Sequence, residues 1–225
     1  MGTVTFNQPA HNQILALATT ERWRRGLLAL LEVGKDPNRT DKVLEAYEHM
    51  NAGSENQRAR RFYRSAAAVR FFEENRTLDA TTVDYDRLLA LPEGTLGYSY
   101  ARFMKDRGLT PDIFTCEGAL SPAAYFSKRM RQTHDLWHVI TGVDTDVAGE
   151  LELQAFTLAQ VWAPSQWVLV GLGTLRALFT APSMALGAVR GFFRGLRARK
   201  FAAVGWEERW AEPLADVRRS LSCGA

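Results

Sequence analysis

Two histidines four residues apart, with an acid between them and another acid further along, carry the donor atoms of a metal site. The chain holds such a set in His134-Asp135-Leu136-Trp137-His138, followed after eleven intervening residues by Glu150. On a helix turning about 100° per residue, His138 returns to within about 40° of His134 and Asp135 lies about 100° away, so one face presents two imidazoles and a carboxylate. Imidazole nitrogen together with carboxylate oxygen suits Zn²⁺, Fe²⁺ or Mn²⁺, and with no thiolate among the donors the divalent ion is not specified further. The plainer alternative is a pair of satisfied helix histidines beside ordinary surface acids. Asp144, Asp146 and Glu152 also lie nearby. Turn and cap roles explain the first two, and Glu152 points away from Glu150 on the same helix, so all three stay outside the expected site.

The elements around these residues follow from their neighbours. Ser121-Pro122 is a helix start, since the serine can cap orphan amides and a proline at the first helical position loses no needed donor. No breaker follows before Gly142, so a single helix is predicted up to the histidines and through them. Gly142 to Asp146 reads as a turn with Thr145 and Asp146 as candidate caps, and Val147 to Gln160 resumes helical spacing. An antiparallel hairpin then sets Glu150 level with His138 and facing it.

Upstream, Met1 to Asn12 reads as an irregular arm and Ile14 to Val33 as an amphipathic helix stopped by Gly34. The cluster from Lys35 to Thr40 predicts a turn, and Asp41 to Met50 a second helix. Ser54 with Gln57 predicts a capping box for a third helix, which carries Arg58, Arg60, Arg61, Arg64 and Arg70. Helices are expected over Asp84–Leu91 and Gly94–Arg107, joined by a tight corner at Pro92-Glu93-Gly94, with Gly108 and Pro111 closing the second. Downstream, Pro164 breaks the chain before an apolar stretch from Trp167 to Phe193. Its charge-free runs fall short of the roughly 20 residues that span a bilayer. Arg190, Arg194, Arg197, Arg199 and Lys200 then alternate with Phe192, Phe193 and Leu196, a pattern suited either to a helix lying on a membrane or to a core helix with a solvated basic end. No convincing strand period occurs, so the expected fold is all-α: a single-domain helical bundle carrying a metal-binding hairpin. An arm and amphipathic helix over residues 1–40 precede the main domain at 41–225.

At 225 residues, 46% hydrophobic and 24% charged, the chain can bury a core. A net charge of +3 is too small, without a basic stripe, to argue for nucleic acid. Cys116 and Cys223 form neither a disulfide framework nor a thiolate site. Cys223-Gly224-Ala225 is one residue short of a prenylation box. Residues 1–20 lack the pattern of a secretory or mitochondrial leader, which points to a bacterial cytoplasmic protein.

His-Asp-x-x-His, eleven residues and Glu resembles the metal-binding signature of the coenzyme Q (ubiquinone) biosynthesis protein 4 family. Three further stretches resemble the same family. They are Leu91-Pro92-Glu93-Gly94-Thr95-Leu96-Gly97 with Tyr100, Tyr125-x-x-x-Arg129-x-Arg131, and Trp206-Glu207-x-x-Trp210-x-x-Pro213-Leu214-x-x-Val217-Arg218. The resemblance implies a lyase-type reaction, C1 decarboxylation with hydroxylation of a polyprenyl-hydroxybenzoate intermediate. His134, Asp135, His138 and Glu150 would be metal ligands, and Arg131, about 60° from His134 on a continuous helix, would pair with the substrate carboxylate. Arg129 faces away and is better read as a structural salt bridge. The small-residue helix from Leu169 to Val189 could line a tunnel for the prenyl tail. Implied partners are a polyprenylated aromatic or other isoprenoid lipid, the inner face of the bacterial membrane, other quinone-biosynthesis enzymes and a second copy of the chain. The alternative is a non-catalytic prenyl-lipid-binding scaffold that organises those enzymes.

Overall fold

The structure is a computed structural model that describes residues 4–6, 8–36, 39–109, 114–116 and 120–223. The turn expected at Pro37-Asn38, the stop at Pro111 and the last two residues of the C-terminal tail lie outside the described residues.

The fold is all-α apart from one short two-stranded ladder. β1 (Val4–Phe6) pairs in parallel with β2 (Phe114–Cys116), so the expected irregular arm is partly ordered backbone. At three residues each, these strands are too short to show an alternation in the sequence. The helices run α1 (Gln8–Ala16), α2 (Thr19–Lys35), α3 (Thr40–Asn51), α4 (Glu55–Phe62), α5 (Ala66–Glu73), α6 (Tyr85–Leu89), α7 (Leu96–Asp106), α8 (Pro122–Gln132), α9 (His134–Thr141), α10 (Val147–Val161), α11 (Pro164–Thr180), α12 (Pro182–Arg197) and α13 (Leu214–Ser220). The chain packs as two compact units that are interleaved in sequence. One holds residues up to 6, 59–144 and from 197 onward, and the other holds 7–58 and 145–196. Residues 40 and 41 both belong to the second.

In the first unit, α9 is the buried centre. Leu136, Trp137 and Ile140 are buried on it, and the Trp137 ring packs edge-on to Phe201, which in turn meets Trp206. The closing segment laces the unit together through its backbone. Leu96 donates to the Glu212 carbonyl, Gly97 to that of Trp210, and Leu214 to that of Gly94. Gly97 is small for a reason, because a Cβ there would come within 2.7 Å of the Leu91 side chain and 3.1 Å of Trp210. The corner at Gly94 is a left-handed turn with φ +83°, and Thr95 rather than Gly94 caps α7.

In the second unit, α2 and α3 close on Ala29, Leu30, Ala46 and Met50, with Val168 and Leu169 of α11 against them. α12 lies directly on α10. A Cβ on Gly191 would fall 2.2 Å from the Glu152 carbonyl oxygen, and one on Gly195 2.4 Å from that of Phe156. Glu152 is buried there and ion-paired with Arg190 and Arg194.

Several expected elements are subdivided. The amphipathic helix of the N-terminal region is two helices broken at Leu17-Ala18, and the arginine-bearing third helix breaks between Phe62 and Ala66. Ser54 does not form the expected box, because its hydroxyl donates to the Asn51 carbonyl. The expected tunnel helix over Leu169–Val189 is divided by Ala181-Pro182, since proline cannot continue the preceding ladder. Arg190 and Arg194, for which the sequence left open a membrane-facing or a solvated role, both ion-pair with the buried carboxylate of Glu152, and the Arg190 side chain stays 67% exposed.

Candidate metal centre

The helix predicted to run unbroken through the histidines is divided at Thr133. Its hydroxyl donates to the Arg129 carbonyl at 2.8 Å, the same acceptor its own amide reaches at 3.0 Å. α8 ends at Gln132 with Thr133, at φ −94° and ψ −3°, between it and α9, and the angle between Arg131 and His134 expected of one helix does not carry across the junction. Arg131 is part-buried on α8.

α9 is fixed at both ends. At its C-terminus Gly142 adopts φ +70° and its amide bonds the His138 carbonyl, the left-handed cap that glycine permits. The Arg218 guanidinium donates to the carbonyls of Val139 and Ile140, two of the last-turn acceptors that have no partner within the helix. Beneath it Arg129, fully buried on α8, makes a two-pronged bond to Glu207 and a third bond to the Val204 carbonyl, the structural salt bridge expected of it. After the turn, Asp146 caps α10 by accepting from the Gly149 amide at 2.7 Å.

His134, His138 and Glu150 each offer a ligand atom, and the three atoms lie within 4.8 Å of one another. Ligand atoms bonded to a single ion at about 2.1 Å lie at most about 4.2 Å apart, so small rotamer shifts close the set on an ion. The His138 ring is buried, with Nδ1 3.0 Å from the Val143 carbonyl. A carbonyl only accepts, so the proton sits on Nδ1 and Nε2 is left as the ligand atom. His134 Nδ1 lies 3.4 Å from Asp135 Oδ1, and the two imidazoles meet edge to face with centroids 5.0 Å apart. The gathered group comprises three of the four residues expected to bind metal. Asp135 stands beside His134, where it can orient that ring or join the coordination. Two nitrogens and one carboxylate oxygen fit a divalent ion of the zinc, iron or manganese type.

Tyr100 and Phe103 of α7 lie near Asp135 and His138 of α9. Tyr100 is buried, its ring stacked 5.6 Å from that of Trp210 and its hydroxyl 3.2 Å from the Tyr85 hydroxyl. Burial pushes its phenol well above the ordinary value, and the carboxylate of Asp135 adds to the effect. Phe103 stacks on the His138 ring at 5.9 Å, Arg107 lies over Phe103 at 4.1 Å, and Arg107 donates to Asp144 at 2.7 Å. The sequence did not single out Phe103 or Arg107. Their spacing from Tyr100 puts all three on one face of α7, but nothing in the pattern says which helix that face meets.

Residues 12–224 match the sequence model of the family described as coenzyme Q (ubiquinone) biosynthesis protein Coq4. A mitochondrial ubiquinone biosynthesis protein COQ4 homolog of Danio rerio is 34% identical over 152 residues, covering 63% of this chain and 54% of that protein. The mitochondrial COQ4 protein of Coprinopsis cinerea is 28% identical over 196 residues, covering 83% and 65%. The chain thus spans between about half and two thirds of these relatives. A crystal structure described as a ubiquinone biosynthesis protein from Nostoc punctiforme superposes with a TM-score of 0.73 at 27% identity, over 90% of this chain and 98% of that one. With the motif segments laced around α9 and the match running nearly end to end, the chain belongs to the coenzyme Q (ubiquinone) biosynthesis protein Coq4 family.

Proposed function

We propose that this protein acts in the biosynthesis of ubiquinone or a related prenylquinone, replacing the C1 carboxylate of a polyprenyl-hydroxybenzoate by a hydroxyl at a divalent metal site. The observation that carries this reading is the gathering of His134, His138 and Glu150 at one end of the hairpin. A bound divalent ion would polarise the ring carboxylate or phenolate as a Lewis acid. In the overall step the bond from C1 to the carboxylate breaks to release CO₂, a C1–O bond forms with an oxygen from water, and dioxygen takes the two electrons and two protons removed and leaves as hydrogen peroxide. The chain's own contribution is positional. His138 is held in one tautomer by Val143, His134 is steadied by Asp135, and Arg131 supplies a guanidinium for the substrate carboxylate. Three protein donors leave places for substrate, which favours catalysis over a purely structural ion or a lipid-binding scaffold.

The prenyl tail and its membrane call for an apolar face, and α11 and α12 offer one. Phe179 is 83% and Leu186 71% exposed, with Leu172, Leu175, Val189 and Phe193 exposed beside them. From Pro164 to Lys200 the chain contains no acidic residue, which suits a peripheral seat on an anionic bilayer. No helix among the described residues is long and apolar enough to cross one. In the test, Glu150→Ala abolishes conversion of the carboxylated precursor while circular dichroism stays helical. Product formed at the normal rate would contradict the catalytic reading.

A further inference from the structure

We infer that Phe103, Arg107 and Asp144 act together as a positioning clamp on His138, fixing its ring plane and tautomer. The contacts close a ring within residues 103–144. His138 Nδ1 donates to the Val143 carbonyl at 3.0 Å. The next residue, Asp144, accepts from the Arg107 guanidinium at 2.7 Å. Arg107 lies over the face of Phe103 at 4.1 Å, and Phe103 stacks on the imidazole with centroids 5.9 Å apart and planes 21° from parallel. The aromatic face sets the plane of the imidazole, and the ion pair holds the turn so that the Val143 carbonyl stays aimed at Nδ1.

The energetic character of the clamp separates it from the core. Arg107 is 33% and Asp144 67% exposed at the side chain, and such a pair adds little to global stability. Groups that orient a ligating histidine nevertheless change metal affinity by about 10- to 100-fold when removed. Asp144 is thus more than the turn residue its place after Gly142 suggests. α7, which contributes no ligand, has a defined part in the site.

The consequence for metal affinity rests on the proposed metal function, whereas the effect on the ring does not. Long-range ¹H–¹⁵N spectra of the metal-free protein are expected to show His138 as a single Nδ1–H tautomer. Asp144→Ala, Arg107→Ala and Phe103→Leu are expected to give a mixture of tautomers with little change in melting temperature, and Asp144→Glu to restore the single form. In titrations with Co²⁺ the three disruptive variants should bind about 10-fold more weakly, with an altered d–d spectrum. A wild-type mixture of tautomers would overturn the clamp, as would unchanged tautomer and Co²⁺ affinity in both Arg107→Ala and Asp144→Ala. Wild-type protein that shows the expected tautomers but binds no Co²⁺ would overturn the metal function and leave the clamp standing.

Discussion

Helix α9 and the α11–α12 pair contrast in how they are satisfied. α9 is only eight residues long, yet its apolar side chains are buried, its last carbonyls are met by Arg218, and its histidine is held by a turn carbonyl and an aromatic ring. α11 and α12 are twice as long and leave leucines and phenylalanines open to solvent. A polar side chain is thus immobilised by redundant contacts, while large apolar ones lack cover. Burial follows hydrophobicity where folding alone decides. The exposed apolar residues of α11–α12 depart from that rule, and they are the face that the proposed membrane contact would cover.

The contrast breaks most severely at Arg129. Glu207→Ala leaves a buried guanidinium without its carboxylate, and the expected loss is about 3–5 kcal/mol, read by chemical denaturation. A smaller loss is expected on α12, where Gly191→Ala forces a methyl group onto the Glu152 carbonyl and should cost about 1–3 kcal/mol by overpacking. Both effects are larger than anything on the open face. Phe179→Ser with Leu186→Ser should move stability by no more than about 0.5 kcal/mol, yet lower binding to phosphatidylglycerol-containing vesicles in a flotation assay. Unchanged flotation would remove the membrane from the explanation of that face.

Alkali probes the buried side more gently. Burial raises the Tyr125 phenol to about 12 and that of Tyr100 well above its ordinary 10.0. The fold favours the neutral phenol, so this stability is fully present below pH 10.0 and is lost as pH rises through the folded values. The Tyr63 and Tyr98 phenols are raised as well, so tyrosinate absorbance is expected to develop above pH 10, with Tyr100 and Tyr125 ionising only with unfolding. A single stage near pH 10 would show that Tyr100 and Tyr125 are accessible.

Local chemistry made much of the hairpin legible beforehand. The glycine stop at Gly142, the cap at Asp146 and the proline break at Pro164 each act on the backbone within a few residues, and all three lie where the sequence puts them. The junction at Thr133 was not legible, because no glycine or proline marks it and threonine also sits inside continuous α10 at Thr157. Glu152 was set aside as pointing away from Glu150. It does, but the glycines of α12 let that helix come close enough to bury it against Arg190 and Arg194. Phe103 and Arg107 stayed hidden because their importance lies wholly in a contact between distant segments. Sequence spacing located the residues that gather at the candidate site, and long-range packing decides how firmly they are held.

The central claim is that His134, His138 and Glu150 bind one divalent ion, and elemental analysis combined with Co²⁺ titration of wild type and His138→Ala tests it most directly. The expected result is one ion per chain with a d–d spectrum typical of nitrogen and oxygen donors in the wild type, and neither in the variant. Equal metal content and identical spectra in the two proteins would contradict it.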